Sequence, residues 1–454
     1  MALSDIETIV IVIMENRSFD NMLGYLSLNG SLPVDGLRLD NDWRRTVSNS
    51  YLGTEYPPLP IDPHKPPCSD PQHDRQSIST QISTPPVGPG PRLMGGFVKS
   101  YAKFSDPKPT DPSAVMGYFD ASSVPTFDFF ARNYCVCDHW FSALPLGTQA
   151  NRLMAMAGES LLLDNAGTFL PEQTLVYDWL TDHDISWCVY QSGDFLPFFS
   201  LMASWLPEIA SQLTLSQIGV DVRFRRYARL EENWLGSDPV PSVIFVEPEY
   251  TDGPHLSPND DHAPTGVQPG QIFLADLYRT LTSNPARWSR TMLVITYDEH
   301  GGFFDHVPPL DISTIVSGTE ISTTGVRVPA FIISPYVRSG YVFNRPLDHT
   351  SLLQVLDDRF VRGEGYSIAV NARQQHLDRI LNTLTESPRN DIPPIPTQKT
   401  ASSSVVKTRS PTAPNTPNAQ ALHSAAQKLA TDHPQLLAQP GWGKLNAYLA
   451  KSKT

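Results

Sequence analysis

The sequence predicts an α/β fold, with a large, mostly parallel β-sheet sandwiched by helices. Short apolar runs rich in Val and Ile, bounded by polar residues or glycine, recur along the chain, and such runs are typical of buried central strands. Segments with helical spacing of apolar residues separate several of these runs. Alternation of strands and helices is typical of a parallel sheet covered by helices on both faces.

The elements follow in order along the chain. Strands are predicted at 8–14, 134–137, 185–190, 242–246, 292–296 and 329–333. Helices are predicted at 125–132, after the Pro/Gly turn at 145–147, at 271–282 and along 352–360.

The predicted domain organisation has three parts. Residues 1–387 are predicted to form the main domain, in which the Pro-rich stretch 45–111 is expected to be a long, irregular and lid-like excursion. Residues 388–418, rich in Pro, Ser, Thr and Lys, predict a flexible linker. The Ala- and Leu-rich residues 419–454 predict a tail of one or two short helices.

Composition and charge restrict the partners. Hydrophobic residues make up 40% and charged residues 18% of the 454 residues, as in a globular protein. A net charge of −13 argues against non-specific binding to nucleic acid or anionic lipid, and we expect no nucleic-acid partner. No apolar run approaches the roughly 20 residues of a membrane span, and Asp5 and Glu7 precede the first strand where a signal peptide would be basic. We therefore expect a soluble protein with no visible signal peptide, and its destination stays open between the cytoplasm and signal-independent secretion.

Oxygen-bearing side chains follow two of the predicted strands directly. Glu15 and Asn16 come after the first strand, and Asp298 and Glu299 follow the strand that begins near residue 292. Parallel sheets bind ligands at the carboxyl ends of their strands, so the two pairs are expected to meet there. Donors that are all oxygens suit one divalent cation such as Ca, Mg or Mn. The alternative is that these residues are helix caps and surface charges.

Thr148 is the candidate nucleophile. It follows Gly147 at the expected start of a helix, where free backbone N–H groups and the helix dipole attract phosphate. A threonine hydroxyl needs a base or a metal to activate it. Asn151, one turn later, would donate to a phosphate oxygen. The alternative is that Thr148 is an ordinary N-cap residue.

Four histidines lie beside carboxylates in loops: His73, His262, His306 and His349. Cleavage of a phosphate ester needs hydrogen-bonding or cationic groups around the phosphoryl oxygens and an acid for the leaving alkoxide. The four histidines are therefore candidates for the same site. Any one of them could equally be a loop or capping residue.

Four segments carry a family resemblance. They are MENRSFD at 14–20, GTQANR at 147–152, NDDH at 259–262 and YDEHGGFFDHVPP at 297–309. With them, residues 8–360 resemble the phosphoesterase family that joins bacterial phosphocholine-type phospholipases C and acid phosphatase A enzymes, which has an alkaline phosphatase-like fold. Gln149-Ala150 departs from the more usual Trp-Pro before Asn-Arg, which leaves the substrate preference open.

The resemblance implies a metal-dependent phosphoric ester hydrolase. One divalent metal would be held by Glu15, Asn16, Thr148, Asp298 and Glu299. Thr148 would attack phosphorus to give a phosphothreonine intermediate, while His73 and His262 would hold the phosphoryl oxygens or protonate the leaving group. His306 and His349 match family segments and are assigned, with Asn151, to substrate binding. The substrate would be a small phosphoester or a phospholipid head group.

Two other functions compete with this one. A non-catalytic binding or accessory protein could keep the fold, but the intact set of candidate ligands and nucleophile disfavours it. A serine hydrolase is disfavoured because the sequence has no G-x-S-x-G motif.

Overall fold

The computed structural model describes residues 2–28, 30, 32–61, 69–84, 93–253, 258–397 and 414–451. Its central feature is an eight-stranded sheet. The strands, in chain order, are β1 (Thr8–Met14), β2 (Asn49–Tyr51), β3 (Thr54–Tyr56), β4 (Leu59–Pro60), β5 (Gly117–Tyr118), β6 (Cys135–Cys137), β7 (Trp140–Phe141), β8 (Trp187–Gln191), β9 (Phe224–Arg226), β10 (Val243–Glu247), β11 (Thr291–Tyr297), β12 (Thr314–Val316), β13 (Thr319–Ile321), β14 (Ala330–Ile333), β15 (Tyr341–Phe343) and β16 (Leu347–Asp348).

The large sheet has the order β15-β6-β14-β11-β1-β10-β8-β9. Its neighbouring strands run parallel except where β14 pairs with β11 and with β6. Every residue of β1, β10 and β11 is buried, so both faces of the sheet centre are covered. The predicted mostly parallel, helix-covered sheet is confirmed.

Helices pack around this sheet. They are α1 (Phe19–Leu23), α2 (Asn41–Val47), α3 (Arg75–Ser83), α4 (Phe97–Phe104), α5 (Pro125–Asn133), α6 (Thr148–Ala157), α7 (Val176–Asp182), α8 (Leu206–Gln217), α9 (Leu230–Leu235), α10 (Gln268–Thr282), α11 (Pro285–Trp288), α12 (Thr350–Leu356), α13 (Ile368–Arg373), α14 (Pro417–Asp432), α15 (Pro434–Leu437) and α16 (Gly443–Lys451). The predicted helix along 352–360 is α12 followed by a π turn at Asp357–Val361.

The expectation of a wholly irregular stretch at 45–111 is wrong for its described part. This part contains α3, α4 and the hairpin of β2 and β3. Its apolar side chains, which include Phe97 and Tyr101, form a second core with Trp43. The many prolines of this stretch favoured a prediction of irregular structure, although short helices and strands lie between them.

The C-terminal helices share the main hydrophobic core. Leu422, Leu429 and Trp442 are each at most 2% exposed and belong to the same cluster as the strands of the large sheet. Of the predicted linker, residues 398–413 lie outside the described residues. The division into three parts stays a prediction. Among the described residues, no helix has both the length and the apolar character needed to cross a bilayer.

Candidate active site

The carboxyl ends of β1 and β11 lie side by side. The two strands are parallel neighbours, with Met14 paired to Tyr297. The backbone N–H of Asp298 donates to the carbonyl of Met14 (3.0 Å), and the backbone N–H of Asn16 donates to Asp298 Oδ1 (3.0 Å). The two predicted pairs of oxygen donors are therefore brought together, as expected from the sheet topology.

A tight turn after β11 makes this approach possible. Gly301 has φ of +62°, and a Cβ there would lie 2.2 Å from the carbonyl oxygen of Asn16. Any larger residue would push the two segments apart. Asn16 itself has φ of +60°, a conformation that asparagine tolerates better than most residues.

The side-chain amide of Asn16 faces three buried carboxylates. In one orientation its nitrogen would donate to Glu299 Oε1 (2.8 Å), Asp298 Oδ1 (3.2 Å) and Glu15 Oε2 (3.2 Å). In the other orientation its oxygen takes this place and lies 3.4 Å from Thr148 Oγ1. Orientation of an amide is assigned from its surroundings. A cation among the carboxylates would favour the second orientation, in which all the facing atoms are oxygens.

Thr148 is the first residue of α6 and is fully buried. Its Oγ1 points at the amide of Asn16, beside the three carboxylates. The positive end of the dipole of this ten-residue helix favours an anion at this position. The predicted nucleophile and the predicted ligands thus occupy one place.

Three buried carboxylates lie together in the site, and Arg152 pairs with two of them. Arg152, one turn after Thr148, donates through Nε and Nη2 to Glu15 Oε1 (3.0 and 2.7 Å) and lies 3.9 Å from Asp298 Oδ2. Burial, reinforced by the charge of Asp298, raises the pKa of Glu15 well above its usual value. Burial also raises the pKa of Glu299 to about 8.

These residues fit a hard divalent cation. Asp298 Oδ2 is buried and has no hydrogen-bond partner among the described residues. Buried carboxylate oxygens without a partner are rare unless an ion or water satisfies them. Since the converging donors are all oxygens, the site suits Ca, Mg or Mn better than Zn.

His73 and His262 both border this cluster. His73 donates through Nδ1 to the carbonyl of Pro71 (2.8 Å), and its Nε2 lies 4.0 Å from Glu299 Oε1. His262 Nε2 lies 3.3 Å from Asp70 Oδ1, and its Nδ1 lies 3.8 Å from Glu15 Oε2. The structure therefore places both predicted histidines where they could meet a phosphoryl group bound at Thr148.

The charges around these rings favour their protonated forms. Burial alone would lower the pKa of His262, but the charge of Asp70 and its hydrogen bond raise it well above its usual value. Burial also opposes protonation of His73, and the charges of Glu299 and Asp70 raise its pKa above the usual value. Protonated imidazoles can donate to phosphoryl oxygens or to a leaving group.

Asn151 has a different environment from the one expected. Its Nδ2 donates to the carbonyls of Leu144 (3.1 Å) and Leu146 (2.7 Å), and its Oδ1 accepts from the N–H of Leu144 (2.9 Å). The amide thus holds the loop that precedes Thr148. The predicted contact with phosphate finds no support in this arrangement.

His349 also holds backbone. Its Nδ1 accepts from the indole N–H of Trp140 (3.2 Å), so its Nε2 carries the proton and donates to the carbonyl of Asp298 (2.6 Å). Both ring nitrogens are engaged, and the side chain is fully buried. These contacts fix the ring against Trp140 and the carbonyl of Asp298, and the role of His349 in substrate binding stays a prediction.

His306 lies in a second buried polar cluster. Its Nδ1 is 2.7 Å from Asp20 Oδ2, and its Nε2 is 3.2 Å from Asp35 Oδ1. Asp20, Asp305 and His306 place one ligand atom each within 4.8 Å of one another and could hold a metal. However, Arg327 donates to Asp305 Oδ1 (2.9 Å) and Asp20 Oδ1 (3.2 Å), and so already supplies a positive charge. The predicted role of His306 in substrate binding finds no support in these contacts.

This cluster predicts a pH-dependent stability. Burial alone would lower the pKa of His306, but the charge of Asp20 and hydrogen bonds to Asp20 and Asp35 raise it to about 9. The stabilisation is therefore complete below the unfolded pKa of about 6.5 and is lost as the pH rises through 9. We expect the wild type to lose on the order of 3 kcal/mol of unfolding free energy over this window, relative to His306→Gln.

Urea unfolding at several pH values measures this difference. His376→Gln, which removes an exposed histidine, is the control and should follow the wild type. Parallel pH profiles for wild type and His306→Gln would contradict the charge balance described for this cluster.

Sequence reasoning missed three residues of the site. Arg152 and Asp70 set the charge around the carboxylates and His262. Gln81 donates to the carbonyl of Gln72, and its Oε1 lies 2.8 Å from His300 Nε2, so it ties the His73 segment to the Glu299 segment. Only Arg152 carried a signal, because four residues separate it from Thr148 and place both on one helix face.

Sequence comparison identifies the family of this chain. The model of the phosphoesterase family matches residues 6–361. The chain belongs to the phosphoesterase family, which confirms the resemblance seen in its motifs.

Several characterised relatives are named phospholipase C. The chain is 30% identical to non-specific phospholipase C4 of Arabidopsis thaliana over 75% of this chain and 64% of that protein. It is 28% identical to non-specific phospholipase C3 of the same plant, over 86% of this chain and 76% of that protein. Phospholipase C A of Mycobacterium tuberculosis is 27% identical over 79% of this chain and 73% of that protein. The match therefore spans less than two thirds of the first of these relatives.

Two solved structures show a distant likeness to this chain. One is murine ectonucleotide pyrophosphatase/phosphodiesterase 5, with a TM-score of 0.33, 12% identity, and coverage of 57% of this chain and 96% of that chain. Another is a protein of the alkaline phosphatase superfamily from Vibrio parahaemolyticus, with a TM-score of 0.26, 12% identity, and coverage of 52% and 60%. These scores are too low to carry an argument about the site.

Proposed function

We propose that this protein is a metal-dependent phosphoric ester hydrolase of the phospholipase C or acid phosphatase type, acting through a covalent phosphothreonine at Thr148. One observation carries the proposal. The Thr148 hydroxyl, the Asn16 amide and the oxygens of Glu15, Asp298 and Glu299 converge at the start of α6. A hydroxyl at a helix N-terminus beside a hard-cation site is an arrangement suited to attack on phosphorus.

The proposed reaction has two steps. A divalent cation held by Glu15, Asn16, Thr148, Asp298 and Glu299 would lower the pKa of the Thr148 hydroxyl and neutralise charge on the phosphate. In the first step the Thr148 hydroxyl releases its proton to solvent, its Oγ1 bonds to phosphorus, and the bond from phosphorus to the leaving oxygen breaks as that oxygen takes a proton from His73 or His262. In the second step water displaces Thr148 from phosphorus and releases the phosphate product.

The histidines would serve proton transfer and oxyanion binding. His262 is held by Asp70 and His73 by the Pro71 carbonyl, so each ring has one fixed orientation. Either could donate to a phosphoryl oxygen or protonate the leaving alkoxide in the first step. Arg152 balances part of the carboxylate charge and orients Glu15.

Two substrate classes remain, a soluble monoester and a phospholipid diester. The relatives named phospholipase C favour the diester. Turnover of p-nitrophenyl phosphate and of p-nitrophenylphosphorylcholine, each with and without a chelator, distinguishes them. Hydrolysis of neither compound at any metal loading would contradict the proposal and favour a non-catalytic accessory protein.

The form of the lipid substrate is also predictable. The net charge of −13 opposes adsorption to anionic bilayers. We expect turnover of short-chain phosphatidylcholine or a soluble phosphomonoester to exceed that of phosphatidylserine-rich vesicles at equal phosphate concentration. The assay is run beside vesicle co-sedimentation. Strong binding to anionic vesicles together with faster hydrolysis there would contradict this expectation.

A further inference from the structure

We propose that Asn418, near the start of α14, is a positioning residue for Thr148 and acts through Gln149. The inference rests on the proposed role of Thr148 as the nucleophile. It makes the C-terminal helices part of the active site, although they follow the family-matched residues 6–361.

The contact runs through the residue that follows Thr148. Gln149 Nε2 donates to Asn418 Oδ1 and to the carbonyl of Ala166, both at 2.9 Å. Gln149 Oε1 accepts from the N–H of Ala166 (2.6 Å), and its backbone N–H donates to Asn165 Oδ1 (2.9 Å). Gln149 is fully buried and Asn418 is 5% exposed, so water does not replace these bonds readily.

The side-chain amide of Gln149 has more hydrogen-bonding capacity than one neighbouring loop supplies. The loop at 165–166 supplies one acceptor for the Nε2 of Gln149 and one donor for its Oε1. The second N–H of Nε2 donates to Asn418 Oδ1. The polar residue at 149 and its partner at 418 therefore act as a pair.

A second bond joins α14 to the other side of the site. Thr416, the N-cap of α14, donates to Asp252 Oδ1 (2.9 Å). The neighbouring Thr251 donates through its backbone N–H and its hydroxyl to Asp260, two residues before His262. The start of α14 thus contacts the segment of Thr148 directly, and Asp252 and Thr251 connect it to the loop of His262.

The apolar face of α14 holds this start in place. Ala421, Leu422, Ala425 and Leu429 are at most 2% exposed and belong to the main core. A helix anchored along its length presents Asn418 at a fixed position. Placement of the nucleophile matters because a shift of about 1 Å at a reacting group can cost on the order of a hundredfold in rate.

Asn418→Ala tests the inference. This variant removes the acceptor for Gln149, and we expect kcat to fall about tenfold or more with KM little changed. Asn418→Asp keeps an acceptor oxygen, and a carboxylate in the first turn of a helix is favoured by the dipole, so it should restore kcat to within about threefold of wild type. Gln427→Ala, at an exposed position of α14, is the control and should leave kcat unchanged.

A coupling measurement separates positioning from simple loss of stability. If Asn418 acts through Gln149, the Gln149→Leu, Asn418→Ala double variant should be hardly slower than Gln149→Leu alone. Additive losses in kcat would overturn the inference. Equal kcat in Asn418→Ala and wild type, at equal KM, would overturn it as well.

Hydrogen exchange provides a readout that does not depend on turnover. Backbone amides at 149–152 should exchange faster in Asn418→Ala than in wild type, while those of β1 stay unchanged. If the wild type hydrolysed no phosphoester, the proposed function would be wrong. Hydrogen exchange would then still test whether Asn418 holds residues 149–152 in place. Unchanged exchange at 149–152 would overturn the positioning role.

Discussion

Thr148→Val is expected to reduce turnover by at least about three orders of magnitude, because the attacking hydroxyl is lost and rate enhancements for phosphate esters are very large. Valine has the shape of threonine, and position 148 is fully buried at the start of α6. The fold should therefore survive. Initial rates with p-nitrophenyl phosphate or p-nitrophenylphosphorylcholine, whichever is turned over faster, measure the activity. A thermal melt measures the stability.

Thr148→Ser is the matched control for this prediction. Serine keeps the hydroxyl at Cβ and should keep a measurable part of the activity, with a melting temperature close to that of Thr148→Val. Activity of Thr148→Val within tenfold of wild type would remove Thr148 from the mechanism.

Asp298→Asn is expected to abolish both metal binding and turnover. Asparagine keeps the Oδ1 atom that accepts from the backbone N–H groups of Asn16 and Glu299, but removes the charge and the unpartnered Oδ2. Wild type should melt at a higher temperature when the divalent cation is added, since a ligand that binds only the folded state stabilises it. This shift should be absent in Asp298→Asn.

Asp311→Asn changes an exposed residue that follows the same loop. It is the control and should retain the metal-dependent shift in melting temperature.

The two strand ends should also act as one unit. The loss of metal binding and turnover in Glu15→Ala combined with Asp298→Ala should therefore be hardly greater than in either single variant. Full metal content in Asp298→Ala would show that the two segments do not share an ion.

The sheet was predictable because its central strands are short runs rich in Val and Ile, a composition that is typical of buried strands. Thr8–Met14 and Thr291–Tyr297 are nearly continuous apolar runs, and both are buried central strands. The antiparallel direction of Ala330–Ile333 was not predictable, because direction depends on how the chain returns to the sheet. The short helices between prolines at 45–111 were missed for lack of a long periodic pattern.

The carboxylate cluster was predictable for a related reason. Adjacent parallel strands bring their carboxyl ends together, so Glu15 and Asp298 had to be neighbours once the two strands were neighbours. The hydrogen-bond partners of Asn151 and His349 were not predictable. A polar side chain beside a site can face substrate or hold backbone, and only the hydrogen-bond partners distinguish the two. The contact between Gln149 and Asn418 joins residues 269 positions apart and leaves no local pattern.

The covalent intermediate is the central claim, and trapping it is the most direct test. Wild-type protein loaded with the divalent cation is mixed with excess p-nitrophenylphosphorylcholine, quenched in acid within one turnover and digested for mass spectrometry. The account predicts a phosphorylcholine group on the peptide that contains Thr148, and no such group in Thr148→Val. A substrate-derived group on any other residue, or turnover with every peptide unmodified in a quench fast enough to catch a burst, would contradict it.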